Sequence, residues 1–146
     1  MSDIDYLKLA IQNAQKSFEQ GNFPAGAIVV KDDRIISSEV SSPYPGLFHA
    51  DSKAIQSALN TIGPLVGATL YIGLESCLMC TGVVYWSGIR RVVYAIPKSR
   101  VDPNYYETSE DTKNVVITFH DPIEFIHLPE LEDEALNIVK NWESRR

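Results

Sequence analysis

Apolar positions along the chain switch between helical and strand-like spacing. Ile4, Leu7, Ile11, Ala14 and Phe18 recur every three or four residues, which predicts one buried helical face ending near Gly21-Asn22. Residues 27–30 then form a short apolar run, 31–34 a polar turn, and 35–40 a second run, a pattern that predicts an antiparallel hairpin. The two prolines and the glycine of residues 41–46 suit a loop. A second helical pattern opens at His49, with Ala54, Ile55, Ala58, Leu59 and Ile62 on one face, and stops at Gly63-Pro64.

Residues 70–96 organise the middle of the chain. An apolar strand, predicted over 68–74, runs into Cys77-Leu78-Met79-Cys80, which opens an apolar helix followed by a strand over 91–96. Such a β-α-β unit favours parallel strands joined by a crossover. Residues 97–113 are polar and irregular, carrying Tyr105 and Tyr106. Residues 115–119 read as a fifth strand, 122–129 match no pattern, and from Glu130 a last helix sets Leu131, Ala135, Ile138 and Trp142 on one face. The sum is a single α/β domain over residues 1–146, with a mixed sheet of about five strands and helices on both faces.

Composition narrows the partners. With 146 residues, 45% of them hydrophobic and 22% charged, the chain can bury a proper core. No apolar run is long enough to span a bilayer. The acidic start, Met1 to Asp5, lacks the layout of a signal peptide, so a cytoplasmic location is expected. Thirteen basic against nineteen acidic residues give a net charge of −6, which disfavours a nucleic-acid backbone as the main partner.

The only two cysteines sit three residues apart, on one face of a helix start. Ser76 is a competent N-cap, and a helix N-terminus lowers thiol pKa. Two thiolates supply two corners of a tetrahedral zinc site, and the third must come from His49, His120 or His127. His49 is the best placed, since it also opens a helix. Cys₂His with a free fourth position is a catalytic arrangement, in which bound water ionises near neutral pH. Asp51, two residues on, then supplies a carboxylate for proton transfer. Each residue alone also has an ordinary reading: a capping histidine, a first-turn acid, buried thiols. A Cys-x-x-Cys within β-α-β is moreover the layout of thioredoxin-like redox sites, although that reading leaves His49 and Asp51 idle.

On these residues the sequence resembles the zinc-dependent cytidine/deoxycytidylate deaminase superfamily, whose signature is His-x-Glu followed by Pro-Cys-x-x-Cys. Residues 24–30 resemble that family's first hairpin. Residues 70–96 are similar nearly throughout to the corresponding stretch of bacterial tRNA adenosine, guanine and cytosine deaminases. The resemblance implies a three-layer α/β/α sandwich, Zn2+ on His49, Cys77 and Cys80, Asp51 as the proton carrier, and the Ala50 main-chain N–H as a substrate contact. It also implies a homodimer. Three departures stand out. Asp51 replaces the glutamate, about 1.5 Å shorter in reach. Ser76 replaces the proline. No asparagine occurs between Lys31 and Phe48, where the family often places a substrate contact; Ser41 and Ser42 lie nearby.

The expected activity is hydrolytic deamination of a free nucleobase or nucleoside, of guanine or cytosine type. The alternatives are a catalytically weak or inactive deaminase-like zinc protein that binds a ligand or partner, and a tRNA adenosine deaminase. Tyr105, Tyr106 and Trp142 are the candidates for stacking on a base.

Overall fold

The computed structural model describes residues 1–146. Helix α1 (Asp3–Glu19) starts on a capping box in which the Ser2 hydroxyl accepts the Asp5 N–H and the Asp5 carboxylate accepts the Ser2 N–H. Strands β1 (Gly26–Lys31) and β2 (Arg34–Val40) pair antiparallel as expected. Both turn residues between them, Asp32 and Asp33, have positive φ, the conformation that a tight hairpin turn requires and that Asp tolerates.

Helix α2 (Ala50–Ile62), strand β3 (Thr69–Leu74), helix α3 (Leu78–Ser87) and strand β4 (Arg91–Ile96) follow. With a last strand, β5 (Glu124–His127), the sheet order is β2-β1-β3-β4-β5; β1 and β3 are antiparallel, while β3, β4 and β5 are parallel. The mixed five-stranded sheet and the β-α-β unit are therefore present.

Side chains alternate across the sheet with the period of two that pleated strands impose. Ile28, Val30, Tyr71 and Val93 pack with α1 and with the last helix, α5 (Glu132–Glu143). Ala27, Val29, Leu70, Ile72 and Val92 pack on the other face with Ala54, Ile55 and Ala58 of α2 and Val84 of α3. The closest approach is at Gly26, where a Cβ would lie 2.4 Å from the Ala10 carbonyl oxygen of α1; a larger residue there would force the helix off the sheet.

Two expectations fail. Residues 115–119 are not a strand: they carry the end of a short helix, α4 (Thr112–Val116), and the turns after it. Asp111 caps that helix by accepting the Lys113 N–H, and Ile117 is 82% exposed. A β-branched run becomes a strand only where a sheet face receives it, and none does here. The fifth strand is instead β5 (Glu124–His127), inside the stretch that matched no pattern, paired with β4. Second, the N-cap of α3 is Cys77 rather than Ser76. The buried Ser76 hydroxyl has no partner.

Candidate metal centre and active site

The site forms where the carboxyl end of β3 turns into α3 and meets the start of α2. His49 and Cys77 are the N-cap residues of their helices, both with extended backbone that lifts the side chain clear of the first turn. His49 Nδ1 lies 3.4 Å from Cys77 Sγ and 3.5 Å from Cys80 Sγ, and the three donor atoms lie within 4.8 Å of one another. A tetrahedral zinc with ordinary Zn–N and Zn–S bonds places nitrogen and sulfur about 3.6 Å apart. The donor set therefore fits zinc in both chemistry and spacing. His120 and His127 are not part of the cluster.

The supporting contacts aim these groups. His49 Nε2 donates to the Gly46 carbonyl at 2.7 Å, which leaves Nδ1 as the ring nitrogen with a free lone pair. Cys77 Sγ accepts the Cys80 N–H at 3.5 Å. The Cys77 carbonyl accepts both the main-chain N–H and the hydroxyl of Thr81, each at 2.8 Å.

Protons redistribute among the three groups accordingly. The bond to Cys80, opposed by burial and aided by His49, brings the Cys77 thiol down to about 6. The Cys77 partner, followed by burial, pushes Cys80 strongly upward. The bond to Cys77, against burial, raises His49 to about 9. The shifts of His49 and Cys77 run in the direction of positive charge on the imidazole and negative charge on the sulfur. A divalent cation would supply positive charge at the same place.

A cavity of about 350 Å³ opens over this cluster, at the small end of the range for small-molecule sites. Asp51 lines it and is only 2% exposed; one carboxylate oxygen accepts the Ser52 N–H at 3.1 Å. The Asp51 carboxylate stands outside the three-donor cluster. Ala50 also lines the cavity. As the first residue of α2, its N–H has no intrahelical acceptor. Ser41 and Ser42 are on the wall as well; the Ser42 hydroxyl is used by the Phe48 carbonyl at 2.6 Å.

The far wall comes from residues 97–111, a strap laid over the amino end of α3. Asn104, Tyr105, Tyr106 and Glu107 face the cavity from it. Of the aromatic candidates, Trp142 does not line the cavity; it packs edge-on against Phe23 at 5.1 Å, behind the wall. Glu107 and Asn104 escaped the sequence reading, because the strap has no hydrophobic period to place it. Only its paired tyrosines marked it.

Residues 1–96 match the description "Cytidine and deoxycytidylate deaminase zinc-binding region". The chain belongs to that family. It is 33% identical to a probable cytosine deaminase of Schizosaccharomyces pombe, covering 99% of this chain and 94% of that one. It is 36% identical to the tRNA-specific adenosine deaminase of Aquifex aeolicus over 62% of this chain and 63% of that one. The fold superimposes on a guanine deaminase of Nitrosomonas europaea with a TM-score of 0.77 at 21% identity, covering 95% and 83%. The cytidine deaminase-like fold, a zinc cofactor and hydrolysis of a C–N bond follow from membership. No helix of this deaminase is long and apolar enough to cross a membrane.

Proposed function

We propose that this deaminase acts on a free nucleobase or nucleoside of guanine or cytosine type. The observation that carries the reading is the cavity's charge. No lysine or arginine lines it, whereas Asp51, Glu75 and Glu107 do. A phosphate would meet carboxylates and no lysine or arginine on the cavity wall, so nucleotides and a tRNA backbone are disfavoured relative to a neutral base. The full-length similarity to a probable cytosine deaminase supports the same reading.

His49, Cys77 and Cys80 would hold the zinc, which when bound supplies a water ionisable near neutral pH. Asp51 takes one proton from the attacking water and delivers it to the ring nitrogen, then carries the remaining hydroxyl proton to the leaving amine, so water and the C–NH₂ substrate become a carbonyl and ammonia. The Ala50 N–H, at the positive end of α2, orients a substrate oxygen or ring nitrogen. Ile72, Leu74 and Phe23 exclude water from the apolar side of the base. Tyr105 or Tyr106 stacks on it.

The deaminase is a homodimer in this reading. Helix α3 is apolar nearly all round, and Trp86 and Leu78 stand on its open side, Trp86 at 86% exposure. A helix apolar on all faces belongs in an interface or a core. Free thiols serving as ligands suit a reducing compartment, the cytoplasm.

A substrate panel tests the proposal. Guanine, cytosine, adenine, their nucleosides and their monophosphates are assayed for ammonia release by the zinc-loaded protein. Turnover of a base or nucleoside, with the matching monophosphate at least tenfold slower, is expected. Preference for a monophosphate, or turnover only on tRNA, contradicts the reading. Zinc binding with no turnover on any substrate supports the inactive, ligand-binding alternative.

A further inference from the structure

Four main-chain N–H groups at the start of any α-helix lack intrahelical acceptors. In α3 the Cys77 carbonyl accepts the Thr81 N–H, the first bond of the helix, and three of the N–H groups before it are taken. The Cys77 sulfur accepts the Cys80 N–H. The remaining two belong to Leu78 and Met79, the residues that separate the paired cysteines. Glu107 takes both: one carboxylate oxygen accepts the Leu78 N–H at 3.0 Å and the other the Met79 N–H at 2.9 Å. Burial opposes ionisation of Glu107, but these main-chain donors outweigh it and leave the carboxyl below its ordinary pKa.

Glu107 reaches α3 from the strap, and the strap is tied to the same strand-to-helix junction elsewhere. The Tyr106 hydroxyl donates to the Glu75 carbonyl at 2.7 Å. The Glu75 carboxylate accepts the Lys98 N–H at 3.1 Å and the Thr112 hydroxyl at 2.6 Å. The Lys98 ammonium closes the strap on itself by donating to the Thr108 and Glu110 carbonyls. Residues 75–80 therefore carry both the two sulfurs and the anchor points of the strap.

We propose that Glu107 is a positioning residue for the metal site, which couples closure of the strap over the cavity to retention of the metal. It acts by fixing the main chain of the two residues whose conformation sets the distance between Cys77 and Cys80. Coupling of this kind is reciprocal: an ordered strap tightens metal binding, and bound metal orders the strap that forms the far wall of the cavity. The proposal rests on the ligand assignment made above.

The test compares wild type with Glu107→Ala and Glu107→Gln, all purified zinc-loaded. Zinc transfer to a chromophoric chelator and the thiolate-to-metal absorption of the cobalt(II)-substituted protein report on the site. Hydrogen exchange of residues 98–113, with and without zinc, reports on the strap in the wild type. Loss of an outer partner of a metal ligand lowers affinity by about 10–100-fold. That loss is expected for Glu107→Ala, with Glu107→Gln between it and wild type because the amide oxygen can still accept one N–H. Slower strap exchange in the zinc-loaded wild type is expected as well. Variants that hold zinc as tightly as wild type, or strap exchange indifferent to zinc, overturn this proposal alone. A wild type that binds no zinc overturns the ligand assignment and this proposal with it.

Discussion

Strands β3 and β4 lie parallel, and each end of the pair carries a knot of polar groups. At the amino end, the Asp3 carboxylate accepts two bonds from Arg91, at 3.0 and 2.6 Å, and one from the Tyr71 hydroxyl at 2.6 Å. At the carboxyl end stand His49, Cys77, Cys80 and Asp51. Both knots shift their protons: the Asp3 partner raises Arg91, burial raises Tyr71, and the thiols and imidazole of the other end move as described. Perturbed pKa values alone therefore do not mark the site. The difference is in what is left over. At the amino end the Asp3 carboxylate, the Arg91 guanidinium and the Tyr71 hydroxyl bond to one another, which ties α1 to the sheet. At the carboxyl end His49 Nδ1 and the two sulfurs come together, with Ala50 and Asp51 on the wall of the cavity above them. The first arrangement holds the fold and the second has capacity for a ligand.

The sharpest way to break this contrast is to remove one group from the open end. His49→Ala should abolish zinc binding, read by metal analysis of the purified protein, and with it all measurable deamination. The fold of both packed layers should persist, because His49 belongs to neither core cluster. A variant that keeps one zinc per chain would mean the ion sits elsewhere.

Asp3→Ala should do the reverse. Charge-assisted bonds contribute about 1.5–3 kcal/mol. Partial exposure of both partners discounts that to about 1–2 kcal/mol, or about 2–8 °C in Tm for a chain of this size. Zinc content and turnover should not change. The pH dependence carries a sign. Arg91, with help from Tyr71 and against burial, holds the Asp3 carboxyl below its ordinary value in the folded state. Its stabilisation is thus present above the ordinary carboxylate pKa and lost as pH falls through the lower folded one. Urea midpoints from pH 7 to 2 should show that acid limb in wild type and a flatter one in Asp3→Ala.

The smallest effect is expected at Ser76, which is buried and whose hydroxyl is unpaired. Because its hydroxyl has no partner, Ser76→Ala should leave zinc affinity unchanged and raise stability by up to about 1 kcal/mol. A loss of more than about 1 kcal/mol in denaturant unfolding would show that the hydroxyl is satisfied in solution.

The same contrast explains how far the sequence could be read. The hairpin, the β3-α3-β4 unit and the face of α5 were legible because each is a local pattern with a fixed period. The grouping of His49, Cys77 and Cys80 was legible because two helix starts at one end of a sheet have little choice but to face each other. Strand β5 was not, since only contact with β4 distinguishes Glu124–His127 from a loop, while the more strand-like residues 115–119 found no sheet face. The strap was invisible for a related reason. Its order comes from Glu107 and Tyr106 bonding to main chain, and the Lys98 N–H to the Glu75 carboxylate, some 20 to 30 residues away, and such bonds leave no periodic trace. Even the cap of α3 was misplaced by one, because a thiol sulfur took the role that Ser76 is chemically better suited to fill.

The central claim is that the open end of β3 and β4 performs zinc-dependent deamination through Asp51. The most direct measurement is zinc content and ammonia release, taken together on wild type and Asp51→Ala with the best substrate of the panel. One zinc per chain in both proteins, with turnover lower in the variant by about 10²–10⁴-fold, is the predicted result. Turnover by Asp51→Ala within tenfold of wild type, or an active wild type without zinc, would contradict it.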